Sequence, residues 1–207
     1  MSARDVPAIV LADQPPKERS DAARNRSRLL DVAARLVAER GALNVTMDEV
    51  AAGAGVGKGT VFRRFGDRTG LMRALLDHAE RSFQESFLTG PSPLGPGAAP
   101  EERLRAVGAA AIEHRLRYRD LYLAAEQPPA HRYADDPPRD LLGRHVATLL
   151  DAAGVTGDLE LLTESLLAYL DTTLVNYLNT RRGMPAQRIT AGWTQLVDRM
   201  VRPAGSR

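Results

Sequence analysis

Lys58, Thr60, Arg63 and Arg64 fall within one short stretch, KGTVFRRF, and Arg68 follows closely. Between residues 57 and 68 only Asp67 opposes these cations. Such groups break no bonds. On one helix, residues three and four apart are neighbours, so they offer ammonium, guanidinium and hydroxyl donors from a common surface. That chemistry suits nucleic acid: cationic groups neutralise phosphates, and Lys or Arg donors can read guanine edges in the major groove.

Other chemistries fail on spacing. GAGVGKGT resembles a phosphate loop, but that loop needs Gly where Ala52 stands and Ser or Thr where Gly59 stands. A dinucleotide fingerprint beginning at Gly53 and Gly55 would need Gly in place of Lys58. The four His residues, at 78, 114, 131 and 145, include no pair at ligand spacing, and cysteine is absent. No metal, cofactor or catalytic residue is expected, so the chain does not read as an enzyme.

The basic stretch needs elements to position it. Thr46 and Glu49 have the spacing of a capping box, and Val45 and Val50 that of the hydrophobic staple around it. Met47, Val50 and Ala51 give a short first helix its buried side. Gly55 suits the left-handed residue that ends it. Val56 plugs the angle, and a second helix runs over 58–65. Two short helices joined by this turn make a helix-turn-helix, whose second helix enters the DNA major groove.

From Arg26 to Leu76 the chain carries RLLDVAARLVAERG, TMDEVAAGAGV, GKGTVFRRF and GDRTGLM in that order. This run resembles the amino-terminal domain of the tetracycline-repressor (TetR) family. The resemblance implies DNA contacts from Arg26, Thr46, Gly57, Lys58, Gly59, Thr60, Phe62, Arg63, Arg64 and Arg68. Lys58, Thr60 and Arg63 or Arg64 would read bases, while Thr46, Phe62 and Arg68 would position the backbone. The sequence departs from the family pattern at Gly57, where a capping Ser is common, and at Gly70, where an acidic residue is common. It departs again at Phe62, which keeps the ring of a common Tyr without the hydroxyl that reaches a phosphate.

A brace helix is expected over 20–40, with Leu29, Val32, Ala33, Leu36 and Val37 as its apolar stripe. Asp67 can cap a helix over 67–87 that is long enough to link two domains. Loops rich in Gly and Pro follow at 89–100 and at 127–138. Helices are expected over 101–118, 121–126, 139–153, 158–181 and 185–201, with no strand. His114, Tyr118, Tyr122 and Glu126 recur every four residues. Facing inward, they would line a small-molecule pocket; facing outward, their rings would lie on the core beside water. Asn176 and Tyr177 are further candidates for that pocket.

The last two helices carry more apolar surface than one core contact needs. They are either central core helices or the dimer interface that the resemblance implies, presenting Leu167, Leu174, Leu178, Trp193, Val197 and Val201.

The 207 residues are 43% hydrophobic, enough for a substantial core. The formal net charge of +2 is too small to argue a nucleic-acid partner by itself. No apolar run reaches membrane-span length, and no secretory signal opens the chain. The expected organisation is all-α: a disordered arm at 1–19, a three-helix DNA-binding head at 20–68, and a helical regulatory and dimerisation domain at 69–207. The expected function is a cytoplasmic, homodimeric repressor that binds a palindromic double-stranded operator and responds to a small-molecule effector. The alternative is a DNA-bound regulator or structural protein of the same fold with no pocket.

Overall fold

The computed structural model describes residues 17–124 and 136–201, and every regular element among them is helical. Helix α1 spans Lys17–Arg40, starting ahead of the expected residue 20, and a 3-10 turn at Ala42–Asn44 follows it. Helices α2 (Met47–Ala54) and α3 (Lys58–Phe65) lead to α4 (Arg68–Leu88), which Asp67 caps by accepting the Gly70 amide at 2.7 Å. After the Gly- and Pro-rich loop come α5 (Pro100–Arg117), α6 (Arg119–Ala124) and α7 (Pro137–Ala152). Helices α8 (Leu159–Tyr169), α9 (Thr172–Asn176) and α10 (Ala186–Val201) complete the described chain.

Two hydrophobic cores form, and α4 belongs to both. Leu29, Leu30 and Ala33 of α1 meet Val50, Val61, Leu71 and Leu75 in the first. Phe83 and Phe87 of the same α4 join Leu104, Ile112, Leu150, Leu166, Ile189 and Trp193 in the second. Leu121 of α6 is buried in the first core, so the second unit also reaches the head through this short helix. Between the two apolar segments of α4 sits Glu80, buried although charged.

Two expectations are corrected. The helix expected over 158–181 breaks at Leu170. Asp171 leaves helical geometry (φ −58°, ψ 133°), and its carboxylate accepts the amides of Thr173 (2.9 Å) and Leu174 (3.2 Å). Asp followed by Thr-Thr competes for backbone groups and starts a new helix rather than continuing the old one. A π turn at Tyr177–Arg181 then replaces the expected regular end.

The second correction concerns the interface residues. Leu167, Trp193 and Val197 are buried within the protomer, Trp193 and Val197 completely, so they face the second core and not a partner. The reason is the seat of α10 on α5. Trp193 sinks onto the bare Cα of Gly108, and its indole N–H donates to the Leu104 carbonyl at 2.9 Å. Leu174 stays 37% exposed, and Leu178 and Val201 are half-buried.

Candidate nucleic-acid interface and interdomain pocket

The head is built from local signals. The Glu49 amide donates to the Thr46 hydroxyl oxygen (3.2 Å), and the Thr46 amide donates to the Glu49 carboxylate (3.0 Å), which closes the capping box. The Thr46 backbone amide, together with its hydroxyl and Arg40, holds the exposed Glu49 carboxyl below the usual carboxylate range, outweighing a small opposing effect of burial. Gly55 adopts φ 65°, ψ 37°, where a side chain would be strained. The Val56 amide then reaches back to the Ala51 carbonyl at 3.0 Å, and the chain turns into α3.

On α3, Val61 and Phe65 point into the first core. That fixes the opposite face as the outer one: Lys58, Gly59, Phe62, Arg63 and Arg64 are exposed, and Thr60 is half-buried. Gly57 caps α3 through its backbone only, its carbonyl accepting the Thr60 amide at 2.9 Å. A Cβ at Gly57 or Gly59 would meet nothing within 4 Å, so this edge of the helix is open to close approach. Lys58 Nζ lies 2.8 Å from Asp48 Oδ2 and 5.6 Å from the Phe62 ring centroid. Both partners of that pair are largely exposed, so the ammonium can exchange Asp48 for another anion at little cost.

Three other cations of the head are more committed. Arg68 donates from Nε to the Val45 carbonyl (3.1 Å) and from Nη2 to the Ala42 carbonyl (2.5 Å), tying the start of α4 to the entry of α2. The guanidinium of Arg26 lies 5.6 Å from the Phe65 ring centroid, and that of Arg28 donates to the Ala54 carbonyl at the end of α2. Thr46 is exposed at the head of α2.

The polar row of the second unit divides. The α5 helix ends at Tyr118 and α6 restarts at Arg119, so the row bends instead of running straight. Tyr122 turns its hydroxyl inward to Glu80 and Arg115, with His114 Nε2 at 2.9 Å. Arg115 Nη1 sits 2.7 Å from Glu80 Oε1, and its guanidinium carbon lies 4.5 Å from the Tyr122 ring centroid. Burial alone would raise the Glu80 carboxyl, but His114 and Arg115 outweigh it and hold the carboxyl below its ordinary value. His114 is held low chiefly by its own burial, against the pull of Glu80. The expectation that Tyr122 lines a pocket is therefore corrected: its hydroxyl satisfies a buried charge at the crossing point of α4.

Tyr118 goes the other way. With His114 it lines a pocket of about 290 Å³ between α1, α4 and α5, together with Asp31, His78, Phe83 and Glu113. Asn176 and Tyr177 do not line it; Tyr177 is 46% exposed at the junction of α9 with the π turn. Glu126 lies outside the described residues. Sequence reasoning missed Glu80, Arg115, Asp31 and His78. Glu80 did leave a signal, being a charge on the apolar face of α4, four residues after Leu76 and three before Phe83.

Among the described residues no cluster of His, Cys, Asp or Glu could hold a metal ion, and no helix is long and apolar enough to cross a membrane. An exposed basic second helix in a helix-turn-helix, within described residues that are all helical or irregular, is the architecture of DNA-binding transcription regulators. The family profile described as bacterial regulatory proteins, tetR family, matches residues 29–75. A helix-turn-helix-type transcriptional regulator of Staphylococcus aureus (strain bovine RF122 / ET3-1) is 33% identical over 69 residues, covering 33% of this chain and 37% of that protein. Another, from strain USA300, is 40% identical over 53 residues, covering 26% and 29%. The chain thus matches about a third of the length of these curated relatives.

Solved structures cover far more. A TetR-family transcriptional regulator from Streptomyces coelicolor shares 22% identity over 92% of this chain and 96% of its own, with a TM-score of 0.58. A candidate transcriptional regulator from Saccharomonospora viridis, solved in complex with choline, shares 19% over 86% and 97%, with a TM-score of 0.62. At these identities the likeness is one of fold. The amino-terminal head is thus similar to that of the tetR family of bacterial regulatory proteins over residues 29–75.

Proposed function

We propose that the chain is a cytoplasmic, homodimeric repressor that binds a palindromic operator through α3 and leaves it when a small molecule binds. The exposed face of α3 carries this reading: Lys58, Arg63 and Arg64 stand out on the side opposite Val61 and Phe65. Base contacts fall to Lys58, Thr60 and Arg63 or Arg64. Backbone contacts fall to Arg26, Thr46, Phe62 and the amides at Gly57 and Gly59. Arg68 serves mainly by holding the head in shape. The organisation is an arm at 1–19, a reading head at 20–68 and a regulatory and dimerisation domain at 69–207.

Two recognition helices must lie about 34–36 Å apart, or a multiple of it, to enter successive major grooves on one face of the duplex. Helix α4 runs from the head core into the second core, so a shift at its far end changes that spacing. A small-molecule effector is in keeping with the fold, since the Saccharomonospora protein was solved with choline. A ligand that favours another spacing weakens DNA binding, and DNA weakens the ligand by the same factor.

The test is selection of a binding site from a random duplex pool, followed by fluorescence anisotropy on the selected site. Affinity should fall steeply with salt. Lys58→Ala should cost roughly 1–3 kcal/mol if the ammonium makes a good base contact. Failure to enrich any sequence, or equal affinity for wild type, Lys58→Ala and Arg63→Ala, would overturn the reading.

A further inference from the structure

The pocket between α1, α4 and α5 combines an aromatic lining with acidic side chains. The His114 ring stacks on Phe83 with centroids 5.0 Å apart and 19° between planes, and the Tyr118 ring also lies 5.0 Å from it, tilted by 58°. Because burial holds His114 below the ordinary histidine range, it presents a neutral ring at neutral pH. Around these rings stand two carboxylates. Asp31 of α1 is bonded to His78 of α4 at 2.9 Å, and Glu113 of α5 to Arg117 at 2.8 Å; both acids keep most of their surface in solvent.

The charged and titratable groups lining the pocket are therefore Asp31, Glu113, Arg117, His78, His114 and Tyr118. The Glu80–Arg115 pair next to His114 is satisfied internally. Two carboxylates against one guanidinium leave the pocket acidic. Aromatic faces and carboxylates together are the chemistry that recognises ammonium groups. The volume of about 290 Å³ stands at the small end for ligand pockets and suits a one-ring compound.

We infer that this pocket is the effector site and that it takes a small organic cation, its ammonium on Asp31 and its apolar part against Tyr118 and His114. This rests on the effector-responsive reading above and adds the place and charge of the ligand. The ammonium competes with His78 for Asp31. That contact joins α1 of the head to α4, and the other walls come from α4 and α5. A ligand seated there therefore alters how the head is held against the regulatory core.

Calorimetric titration of the full chain with benzylammonium, benzyl alcohol and benzoate tests this, since the three share a ring and differ in charge. Benzylammonium should bind more tightly than the other two, and Asp31→Asn should weaken it by about tenfold or more, as loss of a hydrogen bond to a charged group does. Asp31→Asn should leave binding of benzyl alcohol unchanged, because that compound carries no charge to set against the carboxylate. Benzoate or benzyl alcohol binding as tightly, no heat from benzylammonium at millimolar concentration, or indifference to both Asp31→Asn and Glu113→Gln would overturn the inference. No operator enters the measurement, so a failure here is distinct from a failure of DNA binding.

Discussion

Trp193 lies where a side chain at Gly108 would be: a Cβ there would come within 1.9 Å of the indole Cε2. The contact lets α10 settle against α5, and Arg105 and Asp198 continue it with an ion pair at 2.7 Å. In an exposed helix Gly→Ala stabilises by roughly 1 kcal/mol. Here the clash should win. Overpacking costs roughly 1–3 kcal/mol or more, so we expect Gly108→Ala to lower the stability of the chain by about 2 kcal/mol. The midpoint of urea unfolding reads this directly. An increase would mean that the ring moves aside at no cost.

Assembly should depend on Leu174 and not on Val197. An aspartate at buried Val197 places a charge in the core, so Val197→Asp should unfold the chain or cost several kcal/mol. Leu174 is partly exposed, so Leu174→Asp should keep native circular dichroism while lowering the sedimentation coefficient toward that of a monomer. A dimer unaffected by Leu174→Asp would place the interface elsewhere.

Two cations of the head should separate by what they do. Arg68 spans the carbonyls of Ala42 and Val45, so Arg68→Ala should lower the thermal stability of the chain by roughly 1–3 kcal/mol. Lysine should not rescue it, because one ammonium cannot reproduce the fork of the guanidinium. The Lys58–Asp48 pair is exposed, so Lys58→Ala should change stability by less than about 1 kcal/mol. Its effect belongs on DNA. Equal thermal midpoints for Arg68→Ala and wild type would show that the bracing contact is dispensable.

His145 should make the chain acid-sensitive. Its ring packs 4.6 Å from Phe87, and burial, helped by the nearby Arg103, pushes its pKa from the ordinary 6.5 down to about 4. The unfolded chain therefore takes up a proton between pH 6.5 and 4 that the folded chain refuses. Stability is present above 6.5 and is lost as pH falls through that window. For a half-buried group the loss should be about 1–2 kcal/mol after screening by solvent. His145→Phe should remove this part of the loss, measured as the difference in unfolding free energy between pH 7 and pH 4.5. An unchanged difference would show that another group carries the acid sensitivity.

What could be read directly from the sequence was written in short-range chemistry. The capping box of Thr46 and Glu49, the left-handed Gly55 and the Asp67 cap each involve residues within a few positions of one another. Such signals need only the local backbone, so they locate the helix-turn-helix before any packing is known. The apolar period on α1 placed its buried face in the same way.

Tertiary structure decided what lay across long separations. An apolar stripe states that a helix face is buried, and not whether the same chain or a second copy covers it. The pairing of Gly108 with Trp193 settled that for α10, and the bend at Tyr118 sent Tyr122 to Glu80 instead of to the pocket. Asp31 and His78, 47 residues apart, carry no periodic relation, so their contact could not be anticipated. Caps and periods are set by neighbours along the chain, whereas pockets and interfaces are set by which distant helices the core brings together.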